Sequence, residues 1–138
     1  MNQPDEAFRK RLEAGAKGTF WDILGCRLAR LTTEEALVSL QAEPHHLNGM
    51  GILNGGVHAS LLDNTMGIAA MAARPDDKVV TSILHIHYLA PVKLEQISVR
   101  AKVLHQTRSL ITAEGRLIGE DGRLCAYAAA SFRVFKEP

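Results

Sequence analysis

The segment from Val57 to Ala73 constrains the fold most, because its apolar residues cover most of the surface of a helix. Leucine, methionine, isoleucine and alanine recur around the helix, and Gly67 and the alanines keep it slim. A helix that is apolar on nearly every side must be buried on nearly every side. Pro75 follows and cannot continue a helix, so the segment ends before it.

Segments with the alternating pattern of β-strands flank this helix. Before it, residues 23–31 and 36–42 have strand character, and the turn TTEE between them predicts a hairpin. After the helix, the alternating segments are residues 78–92, 96–106, 109–119 and 123–135. A short amphipathic helix is predicted at about residues 4–15.

This order of elements predicts an α+β fold in which an antiparallel sheet wraps around one long buried helix. The 138 residues suit a single domain spanning residues 1–138. The last strands would leave an exposed sheet edge, and a domain of this size often covers such an edge with a second copy. We therefore expect a homo-oligomer.

Composition and charge argue against several kinds of partner. The formal net charge is +1, and Lys and Arg are scattered, unlike those of a nucleic-acid-binding surface. No apolar run reaches the length of a membrane span, and the N-terminus lacks the apolar region of a secretory signal. Cys26 and Cys125 are far apart and favour two buried thiols in a reducing compartment. We expect a cytoplasmic protein that binds neither nucleic acid nor membrane.

Asp63 is the unusual residue of the long helix, since a buried carboxylate is costly unless it is hydrogen-bonded or faces a polar cavity. One explanation is structural: Asp63 could cap a neighbouring loop or pair with an Arg. The other is chemical, because the loop before the helix ends in Asn54, Gly55 and Gly56. The first N–H groups of a helix lack internal partners, and glycine lets a substrate carbonyl approach them closely. The helix start would then stabilise a developing oxyanion.

Gly55 and Asp63 are eight residues apart, which is about two helical turns. In two copies placed side by side, the amide of one chain and the acid of the other could meet in one cleft. A carbonyl held at Gly55 could then be attacked by a water held by Asp63, or by Asp63 itself. This arrangement predicts acyl transfer to water without a metal and without a Ser or Cys nucleophile.

The segment HHLNGMGILNGGVHASLLDNTMG resembles the signature of the hotdog-fold acyl-CoA thioesterases, in the phenylacetate-degradation-type (PaaI-like) branch. His46 and Asn48 match the opening His-x-Asn pair, Gly55 and Gly56 match the double glycine, and Asp63 matches the acid at the expected spacing. The segment VVTSILHIHYLAPVK is similar to the family strand that ends in Tyr-x-x-Pro. The resemblance covers about residues 22–135 and implies the hotdog fold, assembled as dimers and often as dimers of dimers.

The resemblance also implies roles for individual residues. The Gly55 amide would polarise the thioester carbonyl, Asp63 would act as general base or nucleophile, and Asn48 would position the carbonyl or the attacking water. Thr81 would orient water near the acid of the facing subunit. The residue before the double glycine is usually His in this family and is Asn54 here, which can donate a hydrogen bond but cannot titrate.

CoA is expected to bind on the surface between subunits. The turn HQTRSL, residues 105–110, is similar to one with which relatives contact the nucleotide or pantetheine. Arg108 is the phosphate candidate because a guanidinium suits phosphate geometry, although it could equally be an ordinary solvated turn residue. The residues expected to bind substrate or CoA are Asn54, Gly56, Tyr88, Leu89, Pro91, His105, Arg108 and Ser109.

Six histidines raise the possibility of a metal site. His85 and His87 share a strand face, but a metal needs three or four converging ligands, and no Cys or acid accompanies them at tight spacing. We therefore expect neither metal nor cofactor, with the CoA thioester as the substrate. His58, in the first turn of the long helix, is assigned a structural role.

Three functions remain open from the sequence. The leading hypothesis is an acyl-CoA thioesterase that releases a free acid and CoA. The first alternative is a non-catalytic acyl-CoA binder, which Asn54 keeps open. The second is a hotdog dehydratase, whose chemistry needs a His beside the acid where this chain has Asn54. Thiol release from a panel of acyl-CoAs separates the enzyme from the binder, and a hydration assay addresses the dehydratase.

Overall fold

The computed structural model describes Pro4 and residues 6–136, which form three α-helices and one six-stranded antiparallel sheet. A short 3-10 turn, Pro44–His46, precedes the long helix. In chain order the elements are α1 Glu6–Ala16, α2 Phe20–Leu24, β1 Arg27–Leu31, β2 Glu35–Gln41, α3 Gly55–Ala73, β3 Asp77–Tyr88, β4 Gln96–Gln106, β5 Leu110–Ile118 and β6 Leu124–Lys136. The α+β prediction of a sheet around one long helix is confirmed.

The strand order in the sheet is β1-β2-β4-β5-β6-β3, so β3 and β1 form its two edges. β3 pairs with β6 along its whole length, from Asp77 opposite Lys136 to Tyr88 opposite Ala126. The prediction that the last strands leave the exposed edge is therefore wrong, because β6 lies between β5 and β3. The long edge strand of the described sheet is β3 instead.

Helix α3 packs against β2, β3, β4, β5 and β6, and its buried face forms the centre of the core. Leu61, Leu62 and Met66 are almost completely inaccessible to solvent. A Cβ atom on Gly115 would lie 3.3 Å from side-chain atoms of both Leu62 and Met66. Glycine in β5 therefore allows the helix to approach the sheet closely.

One stripe of α3 is not covered by the sheet. Gly56 is exposed, and Ser60, Asp63, Asn64 and Gly67 are half-buried, at spacings of three or four residues that place them along one side of the helix. The expectation that α3 is buried on nearly every side is thus too strong for a single chain. Asp63 lies on this open stripe and not in the apolar core.

The N-terminal segment differs from the predicted strand over residues 23–31. Residues Phe20–Leu24 form the short helix α2, and β1 begins only at Arg27. Gly25 ends α2 in the left-handed conformation, with φ of 86°, and its N–H bonds to the carbonyls of Trp21 and Asp22. The short apolar run at Ile23 and Leu24 is compatible with helix or strand, and periodicity alone does not distinguish them.

The other predicted boundaries are close to the observed ones. The helix predicted at residues 4–15 is found as Glu6–Ala16, and residue 5 lies outside the described residues. β3 ends at Tyr88, so Leu89 and Pro91 belong to the loop that follows.

Candidate active site

The residues predicted to act in catalysis separate into two cavities on one chain. Asp63 and Thr81 line a cavity of about 630 Å³, and Asn48 and Gly55 line another of about 490 Å³. We refer to these as the Asp63 cavity and the Gly55 cavity. Because α3 rises about 1.5 Å per residue, the Cα atoms of Gly55 and Asp63 are roughly 12 Å apart along its axis.

In the Asp63 cavity, the carboxylate is held by a short hydrogen bond. The Thr81 hydroxyl donates to Asp63 Oδ1 at 2.7 Å. This contact lies within one chain, whereas the resemblance implied that Thr81 acts toward the acid of the facing subunit. The bond fixes one carboxylate oxygen, and the other, Oδ2, is available to a water or to a carbonyl carbon.

The remaining walls of the Asp63 cavity are mostly apolar. They come from α3, the N-terminal helices and strands β1, β3 and β6, with Leu12, Trp21, Leu28, Ile68, Met71, Val79 and Phe132 among them. Cys26 also lines this cavity, and burial raises the pKa of its thiol to about 11. At neutral pH Cys26 is therefore a protonated thiol, not a thiolate nucleophile.

The sequence reasoning missed the N-terminal part of this cavity. Trp21, the single tryptophan of the chain, was the available signal, because a tryptophan side chain usually buries a large apolar area. The misassigned strand over residues 23–31 concealed it.

The Gly55 cavity lies at the N-terminal end of α3. Asn54 is the N-cap of the helix, and its Oδ1 accepts a hydrogen bond of 2.6 Å from the Gly56 N–H. The N–H of Gly55 itself makes no hydrogen bond to any residue of the described chain. The Tyr88 hydroxyl donates to the Gly55 carbonyl at 2.8 Å and fixes the first residue of the helix. The helix start thus presents one unengaged amide donor to the cavity.

Asn48 shapes the loop on the other side of this cavity. Its Oδ1 accepts from the Met50 N–H at 2.9 Å and from the Ile52 N–H at 3.4 Å. This leaves the Nδ2 amino group as the part of Asn48 that can donate to a ligand. Leu89 and Pro91, the residues predicted to line a pantetheine channel, lie in the wall of the same cavity.

His46, the first residue of the matched His-x-Asn pair, holds the loop and does not line either cavity. It is buried, its Nδ1 accepts from the Glu43 N–H at 2.9 Å, and its Nε2 lies 2.8 Å from the Leu24 carbonyl oxygen. Both ring nitrogens are engaged, so His46 connects the 3-10 turn to the end of α2.

His58 lines the Gly55 cavity, which the sequence reasoning did not predict. Its side chain is buried, and burial lowers the pKa of the imidazole, so the ring is neutral at neutral pH. The ring packs edge-on against Tyr88, with ring centroids 5.2 Å apart. Side chains of a helix lean toward its N-terminus, so a residue one turn inside α3 reaches back to Gly55.

His105, Arg108 and Ser109 are not brought together with Gly55 in a single chain. His105 lies near the end of β4, and Arg108 and Ser109 lie in the β4–β5 turn, which Arg74 anchors by donating to the carbonyls of Thr107 and Arg108. Arg74 is the C-cap of α3, so this turn is near the opposite end of the helix from the Gly55 cavity.

The described residues offer no cluster of metal ligands. No three His, Cys, Asp or Glu side chains in this part of the chain are arranged to hold a metal ion. His85 and His87 are exposed, with ring centroids 5.2 Å apart. Within the same part of the chain, no helix combines the length and apolar character needed to cross a bilayer.

Comparison with known proteins identifies the family. The family described as the thioesterase superfamily matches residues 50–126, more than half of the chain. The chain belongs to the thioesterase superfamily. Acyl-coenzyme A thioesterase 13 of Mus musculus is 30% identical over 101 residues, which covers 72% of this chain and 72% of that protein.

Solved structures of this superfamily have the same fold. A thioesterase from Haemophilus influenzae superimposes with a TM-score of 0.88 at 17% identity, covering 99% of this chain and 96% of that one. A mutant of the phenylacetic acid degradation protein PaaI from Thermus thermophilus gives a TM-score of 0.77 at 24% identity, covering 86% of this chain and 98% of that one. The hotdog fold and the resemblance to PaaI-like thioesterases are confirmed, and the chain is a thioester hydrolase.

Proposed function

We propose that the protein hydrolyses acyl-CoA thioesters, at a site that two copies of the chain form together. Relatives named acyl-coenzyme A thioesterase, 29% and 30% identical to this chain, support CoA thioesters as the substrate class. The observation that carries the proposal is the division of complementary groups along α3. The free N–H of Gly55 and the Thr81-bound carboxylate of Asp63 are too far apart to act on one carbonyl within a single chain.

Edge strand β3 supplies the contact that joins the two copies. It is an edge of the described sheet and exposes Val80, Ile83 and Tyr88, which are 55%, 62% and 55% exposed. A long edge strand with apolar side chains is a template for pairing with another strand. Antiparallel pairing of β3 with β3 of a second copy continues the sheet across the dimer.

This pairing brings the two halves of the site together for a geometric reason. Tyr88 contacts Gly55 and Thr81 contacts Asp63, so α3 and β3 run in opposite directions within one chain. When two β3 strands pair antiparallel about a two-fold axis between Thr81 and Tyr88, the Tyr88 end of each strand lies beside the Thr81 end of the other. Gly55 of one protomer then faces Asp63 of the partner subunit, and the dimer has two equivalent sites.

The reaction at each site follows from these groups. The thioester carbonyl oxygen accepts a hydrogen bond from the Gly55 N–H, at the positive end of the helix dipole. Asp63 of the partner subunit removes a proton from a water whose oxygen attacks the carbonyl carbon. The C–S bond then breaks, CoA leaves as the thiol after taking up the proton, and the acid is released. Direct attack by the carboxylate, followed by hydrolysis of the resulting anhydride, uses the same contacts.

The remaining predictions complete the proposal. Asn48, through its Nδ2 group, orients the carbonyl or the water, and Tyr88, Leu89 and Pro91 line the channel for the pantetheine arm. Arg108, with His105 and Ser109, contacts the CoA phosphates at the β4–β5 turn. The mechanism uses no metal or other cofactor. We further propose a dimer of dimers in the cytoplasm, and the free thiols of Cys26 and Cys125 support a reducing compartment.

Hydrolysis of an acyl-CoA panel, read as release of free thiol, tests the proposal. We expect the wild-type chain to hydrolyse at least one acyl- or aryl-CoA, and Asp63→Asn to lower kcat by a factor on the order of 10² to 10⁴ while the fold is kept. Asp76→Asn removes an exposed carboxylate outside both cavities and is the control. Wild-type turnover by Asp63→Asn would refute the mechanism. Binding of a non-hydrolysable CoA thioether without any thiol release would instead favour the non-catalytic binder.

A further inference from the structure

His58 is a buried polar residue that the proposed mechanism does not use. It is 4% exposed, and its Nδ1 is a fully buried side-chain nitrogen without a hydrogen-bond partner in the described part of the chain. Leaving a buried polar atom unsatisfied costs free energy, so such an atom calls for an explanation. A purely structural histidine would have both nitrogens engaged, as His46 does.

His58 lies in the wall of the Gly55 cavity, where the thioester is proposed to bind. The imidazole lines this cavity together with Gly55 and Asn48, and its ring packs on Tyr88, whose hydroxyl bonds to the Gly55 carbonyl. Because helical side chains lean toward the N-terminus, the ring reaches back toward the first residue of α3. His58 therefore lines the same cavity as Gly55, whose N–H is proposed to receive the carbonyl.

The ring nitrogens differ in what they can contact. Nδ1 is enclosed by protein, whereas Nε2 is neither enclosed nor hydrogen-bonded to any residue among 6–136, so it is the nitrogen that can meet a ligand. A neutral imidazole carries one proton, and a buried N–H without an acceptor is the rarer arrangement. The proton therefore belongs on Nε2, where it can be donated into the cavity.

Asn54, the other polar side chain at the helix start, is not part of the cavity wall. Its Oδ1 caps the Gly56 N–H at 2.6 Å, which fixes the asparagine at the start of α3. Among the side chains lining the Gly55 cavity, the groups able to donate to an incoming carbonyl are therefore Asn48 Nδ2 and His58 Nε2, since the Tyr88 hydroxyl proton is used on Gly55.

We propose that His58 is a substrate-binding residue whose Nε2–H donates a hydrogen bond to the acyl-CoA at the thioester end of the pantetheine arm, next to the Gly55 N–H. This inference rests on the proposed function, since it takes the CoA thioester as the ligand of the Gly55 cavity. It gives His58 the role of a neutral hydrogen-bond donor and not of a base.

Three variants test this role by kcat/KM for the best acyl-CoA of the panel and by thermal unfolding. His58→Leu should lower kcat/KM at least tenfold, the equivalent of about 1.4 kcal/mol, without lowering the melting temperature, because it also removes the unsatisfied Nδ1. His58→Gln retains a donor on a side chain of similar reach and should recover most of the loss. Thr65→Val is the control, since it removes a buried polar atom from the same helix outside both cavities and should leave kcat/KM unchanged.

Each outcome is decisive. Wild-type kcat/KM in His58→Leu overturns the inference, and so does a His58→Gln variant as impaired as His58→Leu. If the wild-type chain hydrolyses no acyl-CoA, the proposed function fails, and His58 is then tested by isothermal titration with a CoA thioether. Weaker binding by His58→Leu than by Thr65→Val would support the inference independently of hydrolysis. Equal binding by these two variants, or no binding by the wild type, would overturn it.

Discussion

Replacing Gly55 by proline deletes the one backbone N–H on which the proposed oxyanion contact depends. Gly55 is the first residue of α3 after the cap, the helical position at which proline is favoured because its missing N–H is not needed. Asn54 has φ of −60° and ψ of 137°, the extended conformation that a residue before proline prefers. A Cβ at Gly55 would lie 3.5 Å from the Tyr88 hydroxyl oxygen, an ordinary van der Waals contact. Gly55→Pro should therefore fold.

The expected loss of kcat follows from the proposed role of the Gly55 N–H as a hydrogen-bond donor to the oxyanion. Removing one oxyanion-hole donor typically lowers kcat by about 10² to 10³, or roughly 2.7–4 kcal/mol of transition-state stabilisation. We expect a loss in this range for Gly55→Pro, with a free energy of unfolding within about 1 kcal/mol of the wild type. Gly55→Ala keeps the N–H and adds the same Cβ, so it is the matched control and should retain kcat within a few-fold.

Mixing two inactive variants tests whether the site is shared between chains. Gly55→Pro and Asp63→Asn chains, refolded together in equal amounts, should form mixed dimers in half of the cases, and each mixed dimer has one intact site. The mixture should then recover about a quarter of the wild-type activity. An unchanged kcat in Gly55→Pro would refute the oxyanion role of this amide. A mixture no more active than its two components would refute the shared site.

Two further predictions concern stability. The Cβ of Gly56→Ala would lie 2.9 Å from Asn54 Oδ1, in the way of the capping bond. Gly56→Ala should therefore destabilise the wild type more than an Asn54→Ala background, by about 1 kcal/mol. Urea unfolding in a double-mutant cycle measures this difference, and additive free energies of unfolding would contradict the capping bond. Arg123, bound to both oxygens of Glu95, lowers the pKa of that carboxyl from 4.5 to about 2, so the pair stabilises the fold above pH 4.5 and loses this contribution as the pH falls toward 2. Urea unfolding at several pH values should show a shallower acid loss in Arg123→Gln, and an identical acid dependence would contradict the assignment.

The fold could be predicted from the sequence in those segments where one hydrophobic period extends over many residues. The apolar segment Val57–Ala73 and the alternating segments after it are long enough for periodicity to identify helix and strands. Residues 20–31 were not predictable in this way, because Gly25 divides them into a five-residue helix and a five-residue strand. Both pieces are too short for a period to be visible.

The sheet edge could not be derived from chain order. Strands that follow one another along the chain often pair, and the exposed edge was predicted among the last strands. Here β6 returns to pair with β3 and not only with its neighbour β5, so the third strand becomes the edge. Such long-range pairing depends on the whole sheet and leaves no local pattern in β3.

The candidate site was predictable in its residue types and only partly in its contacts. Asp63, Gly55 and Thr81 were proposed as site residues from the sequence and remain predictions, whereas the hydrogen bond between Thr81 and Asp63 within one chain was not foreseen. His58 was assigned a structural role from its position in the first turn of the long helix. Its unpartnered Nδ1 and its contact with Tyr88 depend on the packing of α3 against β3, which only the folded chain contains.

The half-buried stripe of α3 and the uncovered edge of β3 have one cause under the proposed dimer. A sheet that closed fully around α3 would bury Asp63 among apolar side chains, where an ionised carboxylate is strongly disfavoured. Ending the sheet at β3 leaves Asp63 half-exposed beside Thr81, at the cost of an exposed strand edge. Pairing of two such edges removes that cost and, because α3 and β3 are antiparallel, places each carboxylate opposite the helix start of the other chain. Association and catalysis would then depend on the same strand, so a proline introduced at an unpaired N–H of β3 should weaken both together.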